Sequence, residues 1–295
     1  MMETDRLQTE KRNDKTRDLD LMSVEEIVAL MNDEDLNVYE AIKEARPAIS
    51  ELIHAAIHAY GNGGRIIYLG AGTSGRLGLM DAVEVVPTYN SDRFVGLIAG
   101  GNMAFVKAVE GAEDSKELAV SDLQGLGLCD KDMVIGIAAS GRTPYVIGGL
   151  EYARGIGCVT GCVCCNKDTA IGKCADHKVE VDAGPEVLTG STRLKSGTCQ
   201  KIILNMISTV TMIKAGKVFG NLMVDVRATN EKLVERCHRI VMEATGCSYE
   251  KAAEVLKQTG NHCKTAIVMV LLGLSKEEAA ERLEEASGNI RKAIG

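Results

Sequence analysis

Ile66-Ile-Tyr-Leu-Gly70-Ala-Gly72-Thr-Ser-Gly75-Arg76 is an apolar run that ends in a glycine-rich turn carrying two hydroxyls. A short apolar run, a Gly/Ser turn and then a helical pattern read as strand, loop and helix of an α/β unit. The same succession recurs down the chain. Strands are expected at 65–69, 94–99, 133–139, 158–164 and 177–181. Five such units predict an α/β fold with a five-stranded, doubly wound parallel sheet.

Working outward, residues 1–20 are polar and aperiodic, which predicts a flexible N-terminal arm. Ser23-Val-Glu-Glu26 has the spacing of a capping box and predicts a helix start. A second apolar-periodic segment runs over 38–60, where Pro47 is expected to kink or split the helix. The turn Gly61-Asn-Gly-Gly64 ends it. A long helical pattern lies between Lys195 and Gly216, with apolar positions every three or four residues. Beyond residue 244, short helices are expected over 249–258, 263–271 and 275–286, a small three-helix domain resembling the ubiquitin-associated fold. The expected organisation is therefore an arm at 1–20, an α/β domain at 21–244 and a helical domain at 245–295.

The 295 residues are 45% hydrophobic and 25% charged, ordinary for a globular protein. Aromatics make up 3%, Trp is absent and the net charge is −7. A nucleic-acid partner is not expected, because single strands need aromatic platforms in a basic groove. No apolar stretch approaches the roughly 18–20 residues of a membrane span. The charged opening Met1-Met-Glu-Thr-Asp-Arg is no secretion signal, so a reducing cytoplasm is the expected compartment for the ten cysteines. Cys158, Cys162, Cys164, Cys165 and Cys174 do not have the paired C-x2-C spacing of a zinc site. The stretch from Cys158 to Asn166, with four of these cysteines, reads instead as a buried strand in which Cys behaves as a small hydrophobe.

The opening stretch also satisfies G-x-G-x-x-G, which taken alone suggests a dinucleotide turn. Such a site wants an acidic residue at the end of the second strand. That strand ends Leu97-Ile-Ala-Gly-Gly101, with no carboxylate. Thr73 and Ser74 beside Gly72 instead suit a sugar monophosphate, held by hydroxyls and backbone N–H groups at a helix start. A bare tight turn is the remaining alternative. The design repeats after the third strand in Ser140, Gly141, Arg142 and Thr143, with Pro144 placed to open a helix. Ligands of open α/β sheets bind beyond the carboxyl ends of the strands, so both loops can face one crevice. A third loop offers Ser191, Thr192 and Lys195 before the long helix, though an ordinary N-cap with solvated charges would look the same.

Leu69-Gly-Ala-Gly-Thr-Ser-Gly-Arg-Leu-Gly78, Ala139-Ser-Gly-Arg-Thr-Pro-Tyr145, Thr189-Gly-Ser-Thr-Arg-Leu-Lys-Ser-Gly-Thr198 and Gly216-Lys-Val-Phe-Gly-Asn-Leu-Met-Val-Asp-Val226 are similar to the signatures of the N-acetylmuramic acid 6-phosphate etherases. The resemblance covers the chain from about residue 20. It implies the sugar isomerase (SIS) fold, a homodimer, no metal and no cofactor. It also implies cleavage of the ether between C3 of a phosphorylated amino sugar and D-lactate. The family's two catalytic carboxylates fall on Glu84, in Asp81-Ala-Val-Glu-Val-Val-Pro87, and on Glu113, in Glu110-Gly-Ala-Glu-Asp114. Val85-Val86 stands where a Cys-Pro pair is common, and the following loop is slightly shorter, so the local shape of the pocket is open. Ether cleavage beside a masked aldehyde needs one acid and one base, which assigns Glu84 as the acid, a role that burial beside Val85 and Val86 would suit, and Glu113 as a base for C2 or for the entering water, with the division between the two left open. A non-catalytic sugar-phosphate regulator, like the glucokinase regulator, and an aldose–ketose isomerase share these loops. The terminal helices also admit a protein-interaction module.

Overall fold

The computed structural model describes residues 7–107, 109–228 and 230–295. In chain order the elements are α1 (Val24–Gly61), β1 (Ile66–Gly70), α2 (Gly72–Tyr89), β2 (Phe94–Ile98), α3 (Met103–Val106), α4 (Lys116–Gly125), β3 (Met133–Ala138) and α5 (Pro144–Ile156). There follow β4 (Val159–Cys164), α6 (Ala170–Cys174), β5 (His177–Glu180), α7 (Lys195–Lys214), β6 (Val218–Phe219) and β7 (Leu222–Met223). The chain closes with α8 (Glu231–Thr245), α9 (Tyr249–Thr259), α10 (Cys263–Leu272), α11 (Lys276–Glu285) and α12 (Ile290–Ile294).

Five parallel strands form one sheet in the order β2-β1-β3-β4-β5, the expected α/β architecture with each strand within a residue of its expected place. All five residues of β1 and all six of β3 are buried. Helices cover both faces of a parallel sheet, so such strands carry continuous apolar runs. On one face Ile67, Leu69, Val134 and Cys162 pack with Leu123 of α4 and with Tyr145 and Leu150 of α5. Against the other face lies α1, and Gly161 on β4 makes room for it. A Cβ there would stand 2.3 Å from Leu52 Cδ1.

Helix α1 begins at the expected capping box, with Ser23 accepting from the Glu26 N–H and Glu26 returning a carboxylate to the Ser23 N–H. It then corrects the sequence reading, because its 38 residues run unbroken through Pro47. Proline cannot donate to the carbonyl four residues back, which here is that of Lys43. Arg46 Nε donates to that carbonyl instead, at 3.1 Å, so the orphaned acceptor is satisfied and the helix continues. The segment before α1 also differs from a loose arm, of which residues 1–6 lie outside the described residues. Gln8–Glu10, Asp14–Thr16 and Leu19–Leu21 are 3-10 turns, and Thr9, Asn13 and Thr16 are buried.

The chain divides into two compact units, one comprising the chain through Val83 with Arg93–Ser208, the other Glu84–Asp92 with Thr209–Gly295. The division passes through α2 and α7. In the second unit, Cys237, Ile240 and Val241 of α8 share a core with Val255 and Leu256 of α9 and Ile267 of α10. The helical region thus takes in α8 and α12 beside the three helices expected over 245–295. Asp225 is buried there between Lys217 Nζ at 2.7 Å and Lys264 Nζ at 2.8 Å. All ten cysteines are free thiols, and Cys129, just before β3, is the one that is exposed among the described residues.

Candidate active site

The strand order places β3 beside β1 on the side away from β2, so the connections that leave β1 and β3 run in opposite directions. That is a topological switch point, where a crevice opens beyond the carboxyl ends of the two strands. Gly70 pairs with Ile137, so the loops that follow β1 and β3 leave the sheet side by side.

After β1 the backbone turns at once into α2. A Cβ on Gly75 would lie 2.7 Å from the Gly70 carbonyl oxygen and 2.7 Å from Ile98 Cγ1, so the helix start rests directly on the strand end. Gly72 has φ +52, a left-handed conformation that suits glycine. Thr73 is half-buried beside it, while the Ser74 hydroxyl is buried and donates to Gln200 Oε1 at 2.9 Å. Gln200 escaped the sequence reading. It belongs to α7, distant in sequence, and its Nε2 is buried with no hydrogen-bond partner among the described residues.

The second loop is fixed from behind. Gly141 has φ +72, and a Cβ there would come within 2.3 Å of Thr169 Cγ2. Its carbonyl accepts from the Ile171 N–H at 3.0 Å. The Ala139 carbonyl accepts from the Cys165 N–H at 3.0 Å and from Asn166 Nδ2 at 3.2 Å. Ser140, Arg142 and Thr143 are half-buried, and Pro144 opens α5 as expected.

In the third loop Ser191 and Thr192 are half-buried, but Lys195 is turned away from the role expected of it. Its side chain is 1% exposed, and Nζ donates to Glu34 Oε2 at 2.8 Å. Burial pushes the Glu34 carboxyl up, yet hydrogen bonds from Lys15, Lys195 and Asn13 outweigh it and hold the group down at about 2. Glu186, fully buried, accepts the N–H groups of Lys195 (2.8 Å) and Ser196 (2.9 Å) and so caps the start of α7.

Glu113 sits in a 3-10 turn, Ala112–Asp114, entered through left-handed Gly111. It lines a cleft of about 240 Å³ together with Gly72 and Arg76 from α2, Ala99 beyond β2, and Glu110. Arg76 Nε donates to the Phe105 carbonyl at 3.0 Å, which fixes this cation near the mouth. A carboxylate beside a loop of hydroxyls and N–H groups and a guanidinium can move a proton on a molecule held in the cleft.

Glu84 is placed otherwise than the sequence suggested. Ala82, Val85 and Tyr89 form the buried face of α2, so Glu84 falls on the outer face with Val83 and Met80 and is exposed. Burial beside Val85 is therefore not found in the single chain. Cys158, Cys162, Cys164 and Cys165 lie at or in β4 as buried residues. Among the described residues no group of three or more His, Cys, Asp or Glu is placed to hold a metal ion.

Residues 48–154 match the Glucokinase regulatory protein N-terminal SIS domain. The chain is 56% identical over 292 residues to an N-acetylmuramic acid 6-phosphate etherase of Exiguobacterium sp. (strain ATCC BAA-1283 / AT1b), covering 98% of this chain and 99% of that one. It is 57% identical to the protein of the same name from Geobacillus sp. (strain WCH70), with the same coverage. Among solved structures it is similar to the c3406 protein of E. coli CFT073, with a TM-score of 0.51, 16% identity and coverage of 68% of this chain and 97% of that chain. A phosphoheptose isomerase from Francisella tularensis gives a TM-score of 0.50 at 16% identity, covering 65% and 99%. The two structures speak to the fold alone.

Proposed function

The chain belongs to the N-acetylmuramic acid 6-phosphate etherase family, and on that premise we propose how its loops and carboxylates carry the reaction. The enzyme is a carbon–oxygen lyase of the SIS fold that cleaves the C3 lactyl ether of N-acetylmuramic acid 6-phosphate with water, giving N-acetylglucosamine 6-phosphate and D-lactate. The observation that carries the mechanism is the crevice at the β1/β3 switch point, where hydroxyl-bearing loops stand beside the cleft that Glu113 lines.

In this reading Gly72, the Thr73 hydroxyl, the Ser74 N–H and the loop Ser140, Gly141, Arg142 and Thr143 hold the phosphate, through hydroxyls and the N–H groups at the starts of α2 and α5. Ser191 and Thr192 bound the sugar. Opening of the sugar ring exposes an aldehyde at C1, which acidifies C2. Glu113 removes the C2 proton, and the electron pair forms the C2=C3 bond as the C3–O bond breaks. The departing lactate oxygen takes a proton from Glu84. Water then adds its oxygen to C3 and a proton to C2, restoring the saturated sugar. One acid and one base meet every proton transfer in the sequence.

The reading includes a homodimer. Val24, Val28, Met31, Leu36 and Tyr39 are exposed along the first half of α1, and Met80 and Val83 flank Glu84 on the outer face of α2. Apolar faces of this extent on a folded chain mark contact surfaces. A second copy covering the α2 face would bury Glu84 together with Met80 and Val83. The same reading assigns the enzyme to the cytoplasm, where ten free thiols suit the reducing conditions.

The match to the regulatory protein's domain favours a second reading, a sensor that binds a sugar phosphate without turning it over. It spans residues 48–154, whereas the etherase identity runs nearly end to end. Lactate release separates the two. The purified protein should release lactate from N-acetylmuramic acid 6-phosphate, not from the unphosphorylated sugar, and not as Glu113→Gln. Binding without lactate would make it a sensor.

A further inference from the structure

We propose that residues 7–16 form a clasp that holds two of the substrate loops in their binding geometry, with Asn166 and Glu34 as positioning residues. The inference rests on the reading that these loops bind the sugar phosphate.

The first hold is Asn166, directly after β4 and 2% exposed. Its Oδ1 accepts the Gln8 N–H at 2.8 Å, and its Nδ2 donates to Thr9 Oγ1 at 3.0 Å and to the Ala139 carbonyl at 3.2 Å. Ala139 is the residue from which the loop bearing Ser140 and Thr143 springs. One side-chain amide therefore ties the N-terminal segment to the root of the second loop, across 158 residues of sequence.

The second hold is Glu34. Asn13 Nδ2 and Lys195 Nζ each donate to its Oε2 at 2.8 Å, and Lys15 Nζ donates to Oε1 at 2.8 Å. Asn13 Nδ2 also reaches the Pro185 carbonyl at 3.5 Å. Pro185 and Lys195 bracket the third loop, and Glu186 fastens its two ends together through the Lys195 and Ser196 N–H groups. The clasp thus grips both loops from one side.

Thr9, Asn13, Glu34, Asn166 and Lys195 are all buried. Without residues 7–16, Asn166 would lose the partner of its Oδ1 and one of those of its Nδ2, and Glu34 would lose two of its four donors, keeping Lys195 and Asn37. Irregular loops that are not already ordered must be ordered when the ligand arrives, and affinity falls by that amount. The clasp orders them beforehand.

The variants Thr9→Val and Asn13→Ala loosen the clasp without altering a loop residue. Two measurements read the effect: KM and kcat for lactate release, and calorimetric affinity for inorganic phosphate. Each variant is expected to raise KM and the phosphate Kd by about tenfold while kcat stays within about twofold, and Thr9→Ser should restore both. A lower melting temperature with unchanged KM and phosphate affinity would make these bonds struts of the fold and overturn the proposal. It is overturned as well if wild type has no affinity for phosphate. If wild type releases no lactate yet the variants weaken phosphate binding, the enzyme reading fails and the clasp stands.

Discussion

Glu34→Gln keeps the shape of a buried side chain and removes the charge that faces Lys195. In the folded chain Glu34 is 3% exposed and its carboxyl is held at about 2, against 4.5 for a free glutamate. A group whose folded pKa is lowered stabilises the fold in full above its unfolded value, and loses that stabilisation as pH falls toward the folded value. The depression corresponds to about 3 kcal/mol at ~1.4 kcal/mol per unit, somewhat less after allowing for the solvent around Lys15. Removing one partner of a buried pair costs about 3–5 kcal/mol, so the variant should be less stable near pH 7 by about 3 kcal/mol. Near pH 3.5 wild type should already have lost about 1.4 kcal/mol of this contribution, roughly halving the gap. Urea unfolding followed by far-UV circular dichroism, run on both proteins at the two pH values, gives the comparison. A gap of equal size at both, or none at neutral pH, would refute the charge pairing as the source of stability.

Glu113→Gln and Glu84→Gln should each lower kcat by about 10²–10⁴ with KM little changed, because a positioned acid or base contributes that much. Steady-state lactate assays decide it, and a kcat within about threefold of wild type removes that residue from the mechanism. Ser140→Ala removes a hydrogen bond to a charged phosphate, a loss of about 1.5–3 kcal/mol that should appear as a KM raised at least about tenfold. An unchanged KM would take Ser140 out of the phosphate site. Gly141→Ala forces a side chain into a left-handed conformation, about 1–2 kcal/mol, and drives its Cβ to within 2.3 Å of Thr169 Cγ2. A melting temperature several degrees lower together with a raised KM is the expected result, and a variant with wild-type values would mean that the loop relaxes freely.

The sheet was legible in the sequence because β1, β2 and β3 are apolar runs closed by glycine or serine turns, and those turns are local chemistry. The two loops at the switch point were legible for the same reason. What escaped depends on partners far away in sequence. Pro47 ordinarily breaks a helix, and only the geometry shows Arg46 satisfying the stranded Lys43 carbonyl. Residues 7–16 are polar and look loose, but their partners Asn166 and Glu34 are buried. Lys195 beside a hydroxyl-rich loop reads as a phosphate ligand until Glu34, 161 residues earlier, is found on its Nζ. Glu84 is different in kind. The spacing of Ala82, Val85 and Tyr89 already puts it on the outer face, a helical-wheel signal present in the sequence.

The thiols provide a practical handle on the molecule. Burial pushes Cys158 and Cys199 up to about 12, far from the thiolate that reacts with alkylating dyes. Cys174 and Cys247 are half-buried, and Cys129 alone of the ten is exposed. It precedes β3, at the amino ends of the strands, while the loops that bear Ser74 and Ser140 leave from the carboxyl ends. Its backbone N–H is held by Asp132, which also clamps Arg65 at the start of β1. A single fluorophore placed there by brief maleimide treatment would report the opening of the sheet without obstructing the crevice.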